Sequence, residues 1–229
     1  MELCIALDLP TAAQNMALAE SLAAYDDLWM KVGFRSYIRD GRSFIDTLKQ
    51  INPHFKIFLD LKLYDIPNTM ADAAEEIAQI GVDMFNIHAS AGEEAMQTVM
   101  ERLHQQNRHP LVLAVTALTS FDAETFRGIY GADIDQKAEE FARMAARAGL
   151  SGVVCSAFES RAIKEATHDA FLTLSPGIRP FGEDAGDQQR VATLEVARAE
   201  AVDFPVIGRP IYRDPDPVAK VARILKAMA

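Results

Sequence analysis

FLDLKLYDIPNT, residues 58–69, begins as a buried-strand pattern and then places Asp60, Lys62 and Asp65 where such a strand ordinarily carries valine or isoleucine. Burying a charge is costly unless it is paired. The three groups therefore either neutralise one another inside a core or face a ligand. Asp60 and Lys62 are two residues apart, so on a strand they share one face.

The surrounding chain supplies the frame for this stretch. Short apolar runs recur at 3–7 (LCIAL), 28–33 (LWMKVG), 56–62 (KIFLDLK) and 82–88 (VDMFNIH), then at 111–116 (LVLAVT), 152–156 (GVVCS), 171–175 (FLTLS) and 204–209 (FPVIGR). Each has strand length and is rich in Val, Ile, Leu or Phe. Between them lie helical patterns with apolar residues at three- and four-residue spacings: AAQNMALAESLAAY, SFIDTLKQI, MADAAEEIAQIG, EEAMQTVMERLHQQ, DQKAEEFARMAARAG, SAFESRAIKEAT, QQRVATLEVARAEA and PVAKVARILKAM. Gly81 and Gly149 fall where a helix C-terminal glycine is expected. Strands alternating with helices imply a parallel sheet. Eight such units in 229 residues predict a (β/α)8 TIM barrel, and the absence of a linker or composition shift predicts one catalytic domain over residues 1–229. A doubly wound open sheet wants a glycine fingerprint after its first strand, whereas DLPTAAQN follows here.

Composition narrows the function classes. Apolar residues make up 49% and charged residues 24%, the balance of a soluble globular protein. The net charge of -10 argues against a nucleic-acid or anionic-membrane partner. Cys4 and Cys155 sit singly in apolar runs and read as buried thiols without zinc-site spacing. MELCIALDLP lacks a basic leader pattern, and no apolar run reaches membrane-span length, so a cytoplasmic protein is expected.

Barrel enzymes build their sites at the C-terminal ends of the strands. Those ends carry Asp8, Lys31, Asp60 with Lys62 and Asp65, Asn86 with His88, Thr116 with Thr119 and Ser120, Ser156, the run SPGIRP, and Gly208-Arg209. The starts of the strands show no comparable set in the sequence. The loops after strands 7 and 8 form the usual phosphate site of such barrels. Here they hold Gly177, Arg179, Gly208 and Arg209, which offer close backbone approach and planar donor forks to an anion. A lone arginine is ordinarily a surface ion-pair former; Arg209, directly after a strand-ending glycine, is read as a phosphate ligand.

Lys31 from the neighbouring strand can join Asp60 and Lys62. An alternating Lys/Asp array keeps each member charged. A Schiff-base lysine needs an apolar or cationic setting, so Lys62 is expected to act as a proton donor, not as an amine nucleophile. Asp60 held near a substrate anion favours chemistry that removes that charge. The array suits expulsion of a carboxylate and protonation of the carbanion left behind. The bland alternative is a buried structural ion network. His88, without a second ligand at zinc-site spacing, reads as a hydrogen-bonded barrel-lining histidine, and the methionines read as core filler.

DLKLYDIPNT at 60–69 resembles the signature of the orotidine 5′-phosphate decarboxylase family. IALD at 5–8, MKVG at 30–33, FNIHASAG at 85–92, TALTS at 116–120, SPGIRP at 175–180, GDQQRV at 186–191 and IGRPI at 207–211 also resemble family motifs, in family order. The resemblance implies a cofactor-independent homodimer acting on a nucleotide. It implies that Asp8 and Lys31 hold ribose hydroxyls, that Asp60 sits beside the scissile carboxylate and that Lys62 protonates C6. Asp65 and Thr69 are implied to reach a neighbouring copy's site, and Ile66 to bind substrate. Thr119 and Pro176 are implied to contact substrate, Gln188 to bridge phosphate and base, and Arg179, Gly208 and Arg209 to bind phosphate. Tyr212-Arg213 departs from the small residue or threonine common after IGRPI. The rival reading is a Mg²⁺-dependent sugar-phosphate decarboxylase or synthase of the same barrel type; a second is a non-catalytic phosphate-binding barrel.

Overall fold

Eight parallel strands close on themselves in the computed structural model, which describes residues 1–184 and 190–229. They are β1 (Cys4–Ala6), β2 (Trp29–Gly33), β3 (Lys56–Leu63), β4 (Met84–His88), β5 (Leu111–Val115), β6 (Gly152–Val154), β7 (Leu172–Ser175) and β8 (Phe204–Ile207). Each pairs with the next in sequence, and β1 pairs with β8 to complete the barrel. The predicted fold class is thus the observed one. Each apolar run holds one strand; seven are trimmed by a residue or more, and β3 runs one residue past its run to Leu63.

Helices form the outer ring, with caps that the sequence specifies. α1 (Ala12–Ser21) starts at Thr11, whose hydroxyl accepts from the Gln14 amide while the Gln14 side chain accepts from the Thr11 amide. α4 (Pro67–Ile80) begins with proline at its first position and ends at Gly81. α5 (Glu93–His104) and α7 (Ile134–Arg147) cover the middle of the barrel, and α8 (Ser160–Ala166) and α9 (Leu194–Ala199) follow β6 and β7. α11 (Pro217–Met228) closes the chain behind the Asp216 cap. Three segments add to the expected helices: α2 (Phe34–Asp40), α6 (Ala123–Tyr130) and the short α10 (Arg209–Tyr212) form where the sequence signalled none, while α3 (Arg42–Ile51) is the helix expected from SFIDTLKQI. The predicted helix 188–201 is helical only from Leu194 among its described residues, because Thr193 caps it by accepting from the Val196 amide.

Period-two alternation sorts the strand residues into two cores. Outward-facing Ile5, Met30, Val32, Ile57, Leu59, Phe85 and Ile87 pack against the helices. Inward-facing Cys4, Ala6, Trp29, Phe58, Met84, Leu113, Val115, Val154, Leu174, Phe204 and Val206 fill the barrel's interior. Trp29 and Phe204 meet edge to face there, with centroids 5.3 Å apart. Each such fully buried large side chain contributes about 1.5–3 kcal/mol. Continuing the inward register gives the upper layer: Ala6 leads to Asp8, Trp29 to Lys31 and Phe58 to Asp60. The barrel is thus apolar below and charged above.

The lower rim corrects one expectation, because it carries a polar set of its own. The Asp83 carboxylate accepts from the Ile57 amide (2.7 Å) and Lys49 (3.0 Å), and Asp203 accepts from the Thr173 amide (2.8 Å) and Lys164 (2.8 Å). Glu2 accepts from the Trp29 indole at 2.7 Å and from Lys56 at 3.1 Å. Each acid binds a backbone or indole donor at the start of a strand, so these groups staple strand entries together.

Candidate active site

A cavity of about 330 Å³ opens at the C-terminal end of the barrel. It is lined by Asp8, Lys31, Asp60, Lys62, Thr119, Pro176, Arg179, Gly208 and Arg209 among others. Nine of the expected site residues therefore converge on one space. Asp65, Ile66 and Thr69 do not line it; all three are exposed, Asp65 and Ile66 on the connection from β3 and Thr69 in the first turn of α4. Gln188 lies outside the described residues.

At the cavity's centre is the charge array. Lys31 Nζ lies 3.2 Å from Asp60 Oδ2 and 3.4 Å from Asp8, and Lys62 Nζ lies 2.5 Å from Asp60 Oδ1. Three strands thus contribute to one chain of alternating charge. Burial alone raises the Asp60 carboxyl, but the Lys31 and Lys62 ammoniums, with the Asn86 amide, outweigh it and hold the group down at about 2. Burial alone lowers Lys31, yet Asp60 and Asp8 hold it above the ordinary lysine value. Asp60 is therefore an ionised carboxylate under all ordinary conditions.

The two residues do share a side, but not by simple alternation. The β3–β4 register shifts between Leu59 and Leu63, and Lys62 adopts φ 47°. A non-glycine residue in this left-handed region costs about 1–2 kcal/mol. The bulge turns the Lys62 side chain back over the cavity, where its Nζ also lies 5.5 Å from the centre of the Phe34 ring.

Asn86 and Gly33 belong to the site, although neither is assigned a role from sequence alone. Asn86 donates to Asp60 Oδ1 at 2.8 Å and accepts from the Lys62 amide at 2.7 Å. Its position at the end of a strand was visible; its partners depend on the bulge. A Cβ at Gly33 would stand 3.1 Å from Lys31 Nζ and 3.2 Å from Asp8 Oδ1, so glycine leaves room for that ion pair. His88 fulfils the modest role expected of it. Its Nδ1 lies 2.6 Å from the Ser90 hydroxyl, and burial, with Lys62 nearby, lowers its pKa.

The exits of β7 and β8 bring two arginines to the same cavity. Arg179, in the loop after β7, is buried. Its Nε donates to the Asp184 carbonyl at 2.7 Å and its Nη1 to the Ile178 carbonyl at 3.2 Å. Gly177, at φ 79°, makes the left-handed turn that brings the chain from Pro176 to Arg179. Arg209 starts α10 directly after Gly208, and Tyr212, the departure noted above, joins the lining, with its ring near Gly208. Among the described residues no cluster of three or more His, Cys, Asp or Glu could hold a metal ion. Cys4 and Cys155 are buried free thiols.

This fold and site define a TIM-barrel enzyme whose cavity sets a buried Lys/Asp array against an arginine-lined end. A profile of the orotidine 5′-phosphate decarboxylase / HUMPS family matches residues 1–224. An orotidine 5′-phosphate decarboxylase of a Sulfurovum species is 73% identical over 100% of this chain and 99% of its own length, and one of a Nitratiruptor species is 63% identical over 98% and 99%. The crystal structure of orotidine 5′-phosphate decarboxylase from Lactobacillus acidophilus superposes with a TM-score of 0.83 at 31% identity, covering 99% of this chain and 98% of that one. The chain belongs to the orotidine 5′-phosphate decarboxylase / HUMPS family.

Proposed function

We propose that the protein decarboxylates orotidine 5′-phosphate to UMP, the last step of pyrimidine nucleotide synthesis, as a carboxy-lyase. The observation that carries this reading is that the Lys31–Asp60–Lys62 array lines one cavity together with Arg179 and Arg209. An arginine-lined end suits the 5′-phosphate. Phosphate is assigned to Arg179, Gly208 and Arg209, with Gln188 bridging phosphate and base. Asp8 and Lys31 are assigned to the ribose hydroxyls, and Thr119 and Pro176 to the pyrimidine.

The chemistry then follows from charge. Asp60 cannot escape repulsion by taking a proton, because its neighbours hold it ionised. A substrate carboxylate placed beside it loses that repulsion when the C6–carboxylate bond breaks and neutral CO₂ departs. The bonding pair stays on C6. The Lys62 ammonium transfers a proton to C6, giving UMP, and the neutral amine recovers its proton from water.

We further propose a homodimer in which Asp65, Ile66 and Thr69 complete a neighbouring copy's site. Exposed Phe34, Ile38, Tyr64 and Ile66 support this: four large apolar side chains emerge from α2 and the β3–α4 connection, an uncommon feature for a surface facing water. No helix of the described residues is long and apolar enough to cross a membrane, and a cytoplasmic setting fits the biosynthetic role.

The test is turnover of orotidine 5′-phosphate by the purified protein, followed by the absorbance change as the orotate chromophore becomes uracil, with and without EDTA. Turnover that survives EDTA supports the reading. No turnover of orotidine 5′-phosphate refutes it; an EDTA-sensitive activity on a sugar phosphate then favours the Mg²⁺-dependent rival, and no activity on either favours a binding barrel.

A further inference from the structure

We propose that Asn86 is a positioning residue for the decarboxylation, setting the geometry of the proton donor Lys62 and its carboxylate partner Asp60; the inference rests on the function proposed above. On β3 the residues Leu59 and Leu63 pair with Phe85 and Ile87 of β4, so Asp60, Leu61 and Lys62 face a single residue, Asn86. Asn86 is 1% exposed, and it sits in register with Leu113 of β5 on its other side. The Lys62 amide thus has no regular ladder partner on β4, and the Asn86 side-chain oxygen supplies one at 2.7 Å. A buried backbone donor left unpaired is costly. This bond holds Lys62 in its left-handed conformation, φ 47°.

The other end of the same amide acts on the carboxylate. Asn86 Nδ2 donates to Asp60 Oδ1 at 2.8 Å, the oxygen that also accepts from Lys62 Nζ, while Oδ2 faces Lys31. The orientation of the Asn86 amide follows from chemistry: a backbone N–H only donates and an ionised carboxylate only accepts. One side chain therefore ties the backbone of the donor to the carboxylate that its ammonium engages. Removing it frees Asp60 to rotate and Lys62 to relax toward ordinary strand geometry. A displacement of about 1 Å at a reacting group can cost about 10²-fold in rate.

Two substitutions test this. Asn86→Asp keeps an acceptor for the Lys62 amide but sets a second carboxylate against Asp60. Its own proton decides the geometry, because a protonated carboxyl mimics the amide: the O–H donates to Asp60 and the carbonyl accepts from Lys62. The charged and titratable groups around it are Asp60 and Lys62 on β3, Lys31 on β2, and His88 two residues further along β4. At pH 8 kcat should fall at least about 10²-fold, with UMP affinity within about threefold of wild type, and kcat should recover as the pH falls toward 5. Wild type should show no such recovery. Asn86→Ala, assayed well below its melting temperature, should lose kcat by a similar factor at every pH. A bulge clamp with only a structural role predicts a lower melting temperature with kcat retained, and that result in Asn86→Ala overturns the proposal even if Asn86→Asp does not fold. An inactive wild type refutes the decarboxylase reading and this role together; an active wild type with unimpaired Asn86 variants refutes this role alone.

Discussion

Lys62 and Asp65 are three residues apart in the chain, yet only Lys62 lines the cavity; Asp65 is exposed where the β3 exit turns toward α4. If Asp65 serves a neighbouring copy's site, two different inactive variants should repair each other. In a heterodimer of Lys62→Ala with Asp65→Ala, one site combines the Lys62→Ala cavity with the Asp65→Ala neighbour and carries both defects. The other combines an intact Lys62 with an intact Asp65 and carries neither. Random exchange of equal amounts makes half the dimers mixed, and each mixed dimer regains one of its two sites. Recovery should therefore reach about a quarter of wild-type activity at equal total protein. The assay mixes differently tagged variants, forces exchange by mild denaturation and refolding, isolates the doubly tagged species and measures turnover of orotidine 5′-phosphate. The isolated heterodimer should then show about half of wild-type activity per dimer. Absence of recovery in verified heterodimers means that Asp65 acts within its own chain and refutes the shared site.

Three further outcomes are expected. Lys62→Ala should lower kcat at least about 10⁴-fold, the upper range for a positioned acid, while thermal unfolding stays cooperative, since Asp60 keeps Lys31 as a partner; near-normal turnover removes Lys62 from the mechanism. Arg209→Ala should weaken UMP binding yet leave the slow reaction of the phosphate-free nucleoside unchanged, and equal damage to both substrates means that Arg209 is not a phosphate ligand. The Asp60 carboxyl is depressed from 3.8 to about 2, equivalent to about 2 kcal/mol of stability. A depressed acid gives that stability above its unfolded pKa and loses it as pH falls through the folded one. Urea titrations between pH 5 and 2 should therefore show wild type losing about 2 kcal/mol more than Asp60→Asn, and parallel curves would contradict the ion-pair assignment.

The barrel was legible because apolar runs and helical periodicities alternate without interruption, and buried parallel strands leave such runs in any sequence. The missed helices share a physical reason. α2, α6 and α10 are seven, eight and four residues long. Elements so short show little periodicity, and tertiary contacts rather than propensity decide them. The lower-rim acids escaped notice because Asp83 and Asp203 precede their strands and look like ordinary turn residues. Within the site, residue types announced the charges but not their clamps. Asn86 gained its meaning from a register shift between β3 and β4, and a register shift is a property of paired strands that one strand's pattern does not encode.

The departures from local rules in β3 have a common cause. A strand with simple alternation could bury Asp60 but would send the Lys62 backbone amide to a ladder partner and its side chain along the regular pleat. The bulge gives up one extended conformation to set the Lys62 ammonium 2.5 Å from the Asp60 carboxylate, which that ammonium helps to keep charged. Left-handed strain at Lys62, the buried acid and the interrupted ladder are each unfavourable alone. Lys31 offsets the acid and Asn86 repairs the ladder. The apolar layer from Trp29, Phe58 and Phe204 below supplies the rigid floor on which these groups stand. Several local conflicts that cancel only in one arrangement define that arrangement narrowly. That is the property the proposed proton donor needs in order to meet one carbon atom of a substrate.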